Sequence, residues 1–67
     1  MTWRVVLSDR EREVSDLVSR GLTNQQIGRN LDISEPTVKT HLRNIYSKTG
    51  IHDRANLAIR VLNSNKT

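Results

Sequence analysis

The sequence has no cysteine and no phenylalanine, and only one proline, one tryptophan and one tyrosine in 67 residues. Each shortage closes a route. Without cysteine there is no disulfide staple and no thiolate metal site, which fits a reducing compartment. The two histidines, His41 and His52, have no cluster of carboxylates or thiols beside them, so neither a metal nor another cofactor is expected. With Trp3 and Tyr46 as the only aromatics, the core must be built from Leu, Ile and Val. The same shortage argues against single-stranded nucleic acid as a partner, because its bases stack on aromatic platforms. No apolar run is long enough to cross a bilayer, the opening residues carry no secretory apolar segment, and no strongly apolar amphipathic face suits a membrane surface. A cytoplasmic location is the expectation. A chain of this length holds one small domain, residues 1–67.

Acidic side chains are also missing, but only locally. Between Glu35 and Asp53 there is none, while Lys39, Arg43 and Lys48 fall in that interval. The net charge of +4 is therefore unevenly spread. Residues 1–33 hold five basic and five acidic side chains, whereas residues 34–67 hold six basic against two acidic. Such asymmetry is the electrostatic footprint of a surface that meets nucleic acid or another anionic partner.

What is present is helical punctuation. Ser8 with Glu11 forms a capping box, followed by the stripe Val14, Leu17 and Val18 and by Gly21 as a C-terminal stop. Thr23 with Gln26 forms a second box, opening a short helix whose inward residues are Ile27 and Leu31. Ser34 caps a third helix, with Pro36 tolerated in a first turn whose N–H groups have no intrahelical partner. Gly50 ends that helix and Asp53 caps a fourth. The only competing β signal, Arg4-Val5-Val6-Leu7, is too short to build a sheet. The expectation is an all-α domain, a four-helix bundle over about 8–20, 24–31, 35–49 and 53–62, with residues 63–67 as a frayed tail.

Only Asp32-Ile33-Ser34 separate the second and third helices, the spacing of a helix-turn-helix. Asp32 suits a left-handed turn residue better than most non-glycines, and Gly28 removes a side chain where the second helix presses on the third. At about 100° per residue, Val38, Leu42 and Ile45 share the inward face of the third helix. Pro36, Thr40, Arg43 and Ser47 lie opposite, flanked by Lys39 on one side and Thr37, Asn44 and Lys48 on the other. That outward face is short-chained and basic, as a helix entering a major groove requires.

At these residues the sequence also resembles the LuxR/FixJ/GerE-type (NarL-like) DNA-binding domain of bacterial transcription regulators, from Leu7 to about Leu62. The resemblance is carried by Ser8-Asp9-Arg10-Glu11-Arg12-Glu13-Val14, Thr23-Asn24-Gln25-Gln26-Ile27, Ile33-Ser34, Thr37-Val38-Lys39-Thr40-His41, Asn44-Ile45, and Lys48-Thr49-Gly50-Ile51 with Arg54. It implies that the third helix is the recognition helix, with Lys39, Thr40 and Arg43 at base-contacting positions. It further implies that Thr23, Asn24, Ser34, Thr37, Asn44 and Lys48 hold the DNA backbone, and that the fourth helix joins two DNA-bound protomers. The departures are modest: Gln26 where the family often has Glu, Gly28 where it usually has Ala, Thr49 where Leu is common.

Each signal has a plainer reading. Lys39, Arg43 and Lys48 are ordinary solvated charges if nothing negative faces them. Asp9, Glu11 and Glu13 are better explained by helix capping than by acid–base chemistry, and Glu11 or Glu13 is expected to pair with Arg54 as a link between the first and fourth helices. No nucleophile constellation or phosphate loop is present, so an enzyme is not expected. In the fourth helix, Ala55, Leu57, Ala58, Ile59, Val61 and Leu62 spread over roughly 200°, more than one core stripe needs. The surplus at Ala55, Ala58, Ile59 and Leu62 is expected to form a homodimer face, placing two recognition helices about 34 Å apart on an inverted repeat. The expected partner is thus double-stranded DNA, with RNA polymerase as a further partner. Two rivals remain open: a sigma-factor-like helix-turn-helix for protein recognition, and a basic module that binds without sequence preference. The chain is expected to be either a single-domain regulator or the output domain of a response regulator.

Overall fold

Helix starts in this protein coincide with side chains able to satisfy otherwise orphaned backbone N–H groups. In a computed structural model that describes residues 6–64, Ser8 Oγ accepts from Glu11 N at 3.2 Å while Glu11 Oε1 accepts from Ser8 N at 2.9 Å, and α1 spans Asp9–Ser19. Thr23 and Gln26 repeat the exchange at 3.2 and 2.8 Å, opening α2, Asn24–Leu31. Ser34 Oγ accepts from Thr37 N at 3.2 Å and opens α3, Glu35–Thr49. Asp53 Oδ1 accepts from Asn56 N at 2.8 Å ahead of α4, Arg54–Ser64. A cap of this kind stabilises a helix by about 1 kcal/mol.

The ends are equally explicit. Asp32 takes the left-handed conformation at φ 58° to close α2, and Gly50 does so at φ 74° to close α3. The first helix begins and ends one residue inside the expected bounds, since Ser8 and Arg20 are its caps. The fourth runs through Ser64, two residues beyond the expected Leu62. The apolar pattern stops at Leu62, but no Gly or Pro follows to break the helix, and Ser64 Oγ donates to Arg60 O at 3.0 Å. Of the expected tail, 65–67 lie outside the described residues, as do Trp3 and the Arg4-Val5 part of the apolar tetrapeptide.

The aliphatic stripes meet in one core. Val14, Ile27, Val38, Ile45, Leu57 and Val61 are completely buried, with Leu7, Leu17, Val18, Leu42 and Ile51 nearly so. Each such side chain contributes roughly 1.5–3 kcal/mol relative to exposure. The first helix is the hub, packing along α4 and α3 and touching α2, while α2 and α3 pack on each other; α2 and α4 share almost no direct packing. Gly28 sits where α2 meets the turn so closely that a Cβ would lie 2.7 Å from the carbonyl oxygen of Ile33. The two helices of the helix-turn-helix thus close on backbone, not side chain.

Candidate nucleic-acid interface

The inward residues of α3, Val38, Leu42 and Ile45, are buried, which fixes the rotation of the helix and sends the opposite side chains outward. Pro36, Thr37, Lys39, Thr40, Arg43, Asn44 and Ser47 are all exposed. Among the described residues, neither Lys39 nor Arg43 makes an ion pair or hydrogen bond. Two long cations held on a rigid helix without a local counter-charge keep their attraction for an external anion. Thr40 Oγ1 donates to Pro36 O at 3.1 Å, so its hydroxyl hydrogen is used internally although the residue is exposed.

The other expected contact residues divide by what they already do. Ser34 and Thr23 are N-caps, and Ser34 Oγ and Thr37 Oγ1 lie 2.8 Å apart in a mutual hydrogen bond. Asn44 is exposed. Asn24, the first residue of α2, accepts from Arg54 Nη1 through Oδ1 at 2.6 Å, and Arg54 Nη2 donates to Leu22 O at 2.7 Å. Lys48 Nζ donates to Glu11 Oε1 at 2.8 Å, across α3 and α1.

Those last contacts correct the expected link between Arg54 and Glu11 or Glu13. Arg54 instead serves two neutral oxygens at the start of α2, Glu11 takes Lys48, and Glu13 lies 3.7 Å from Arg10 on its own helix. The reason is where the capping box puts Glu11: its side chain turns back toward Ser8, is only 4% exposed as a residue, and meets the last turn of α3 rather than the first turn of α4. Burial alone would push the Glu11 carboxyl up, but donation from Lys48 and from the Ser8 N–H, with the nearby positive charge, outweighs it and holds the group below its ordinary value of 4.5. Ser15 is also buried and donates to Glu11 O at 2.9 Å. No local pattern announces these pairings; Glu11 and Lys48 are 37 positions apart.

On α4, Leu57 and Val61 face the core and Ala58 packs against its edge. Ala55 is exposed, and Ile59 and Leu62 keep 53% and 49% of their surface accessible. His41 is half-buried and His52 exposed. Among the described residues, no group of three or more His, Cys, Asp or Glu is placed to hold a metal, and no helix is long and apolar enough to cross a membrane.

Four short capped helices, a three-residue turn closed on a glycine, and a basic unpartnered outer face define a helix-turn-helix of the DNA-binding kind. Residues 5–61 match the family model of bacterial regulatory proteins, luxR family, and the chain belongs to that family. It is 49% identical over 55 residues to the monoamine regulon transcriptional regulator of Klebsiella aerogenes, covering 82% of this chain and 24% of that protein. A nitrate/nitrite response regulator protein homolog of Haemophilus influenzae is 40% identical over 60 residues, covering 90% of this chain and 29% of the relative. The transcriptional regulatory protein LiaR of Bacillus subtilis is 45% identical over 53 residues, covering 79% and 25%. The chain thus spans about a quarter of the length of these relatives, and what it shares with them is the LuxR-type DNA-binding domain of transcription regulators.

Proposed function

We propose that this chain is a single domain that binds double-stranded DNA by sequence, as a transcription regulator or the output part of one acting in the cytoplasm. The third helix enters the major groove. Lys39, Thr40 and Arg43 read base edges, while Thr23, Asn24, Ser34, Thr37 and Asn44 hold the flanking phosphates, with Lys48 a weaker contributor because Glu11 already engages it. The observation that carries this reading is the pairing of Lys39 and Arg43, exposed and without partners, on a helix whose rotation is locked by three buried residues. The exposed apolar side chains of α4, Ile59 and Leu62 with Ala55 and the edge of Ala58, supply a homodimer face, so two copies take an inverted repeat. RNA polymerase is a further partner on this reading.

Fluorescence anisotropy on a selected duplex library, titrated with salt, tests the proposal. The expected result is a preferred inverted repeat with half-sites about one helical turn, roughly 34 Å, apart, and a steep salt dependence. Binding that is salt-sensitive but indifferent to sequence overturns the groove assignment. The exposed Ile59 and Leu62 also favour a second reading, a protein-docking module; on that reading Leu62→Ala abolishes partner binding while Lys39→Ala leaves it intact.

A further inference from the structure

The start of α2 and the start of α4 meet at one residue that the groove-reading scheme does not use. Arg54 opens α4, yet its guanidinium reaches back to α2, donating from Nη1 to Asn24 Oδ1 at 2.6 Å and from Nη2 to Leu22 O at 2.7 Å. α2 and α4 share almost no direct packing, and this fork bridges the start of one to the start of the other. It has a chemical corollary. Arginine has only donors, so the Asn24 atom that faces it must be the carbonyl oxygen, and the planar amide then directs its NH2 away from Arg54. Among the described residues, that NH2 has no partner. Asn24 lines an open recess with Lys39, Leu42, Arg43, Tyr46 and Arg54, which contains three cations and no carboxylate.

We infer that Arg54 is a positioning residue for DNA binding: by holding the carbonyl oxygen of Asn24, it presents the Asn24 amide N–H to a backbone phosphate in the recess beside Lys39 and Arg43. This rests on the reading of Asn24 as a phosphate contact proposed above and supplies its cause. A freely rotating asparagine presents oxygen and nitrogen alike, and the oxygen repels a phosphate; the fork removes the wrong half of that population. A lysine at the same position keeps the charge but has no planar fork with which to serve both acceptors.

The test is a double-mutant cycle on the selected duplex, with Asn24→Ala, Arg54→Lys and the pair, each titrated with salt. Asn24→Ala is expected to weaken binding about tenfold, the worth of one hydrogen bond to a charged acceptor. Arg54→Lys is expected to lose nearly as much with an unchanged salt slope, and the double variant to lose no more than the larger single. Additive losses would mean that Arg54 touches the DNA on its own account, and would overturn the inference. An unaltered affinity in Asn24→Ala would overturn it too, while weakened binding in Lys39→Ala and Arg43→Ala would leave the groove reading standing. Should Arg54→Lys melt early, nitrogen-15 NMR on the unaltered chain decides instead. The Asn24 side-chain amide resonances are expected to shift on duplex addition, and resonances that stay put overturn the assignment.

Discussion

Lys39 and Lys48 occupy opposite exposed flanks of the same helix, and only one of them is engaged. Lys39 has no hydrogen bond or ion pair among the described residues, whereas Lys48 is bound to a buried carboxylate of α1. The first half of α3 is thus a surface held ready for something outside the molecule, and its last turn is a fastening within it. Residue type does not separate the two. What separates them is a capping box far away in the sequence, which turns Glu11 back over the start of its own helix and leaves its carboxylate beside the end of α3. A positive charge on an exposed helix face therefore has to be counted with its internal partners before it is proposed as a contact to an outside anion.

That contrast can be broken or sharpened. The largest effect is expected from Glu11→Ala, which removes an acceptor of the Ser8 N–H and strands Lys48. Unfolding in urea should show a loss of about 2–3 kcal/mol, from one cap and one charge-assisted hydrogen bond. An unchanged urea midpoint would mean that the Lys48 contact contributes nothing to stability. Next, Arg43→Ala should cost about 1–3 kcal/mol on the specific duplex and relax base preference, with the melting temperature unchanged because the side chain is exposed and unpartnered. Unaltered site preference would remove Arg43 from the groove.

The two lysines are then compared directly. Lys39→Ala should cost about 1–3 kcal/mol on the specific duplex and relax base preference, with stability unchanged. Lys48→Ala should cost less on the duplex and more in stability; equal losses of affinity and of stability in the two variants would erase the distinction. The smallest effect concerns pH. The Glu11 carboxyl is depressed below 4.5 in the folded state, first against the opposing effect of burial and then by Lys48 and Ser8. The unfolded chain therefore binds that proton more readily, and the stabilisation is complete above pH 4.5 and lost as the pH falls from there through the depressed value. The difference in stability between the unaltered chain and Glu11→Gln should shrink over that interval, as thermal melts at stepped pH would read.

Much of the fold was legible because its signals are local. Ser8 with Glu11, Thr23 with Gln26, Ser34, Asp53, Asp32 and Gly50 each act within a few residues, and each does in the structure what its type suggests. The rotation of α3 followed from three aliphatic residues at helical spacing. The choice of ionic partners did not, because it is made between elements. Arg54 had two carboxylates in the sequence as apparent partners, and took an asparagine and a backbone carbonyl that the fold placed nearer. The extension of α4 to Ser64 escaped for the opposite reason: an absent stop signal is weaker than a present one.

Gly28 carries a consequence for how domains of this kind exchange parts. The family resemblance implies alanine at this position, and here a methyl group would sit 2.7 Å from the Ile33 carbonyl oxygen. A single transplant of that alanine gains helix propensity, about 1 kcal/mol, and collides with the turn. The turn and the helix before it therefore fit one another in this chain, so a chimera that brings alanine to this position in a borrowed second helix is expected to need a different turn as well.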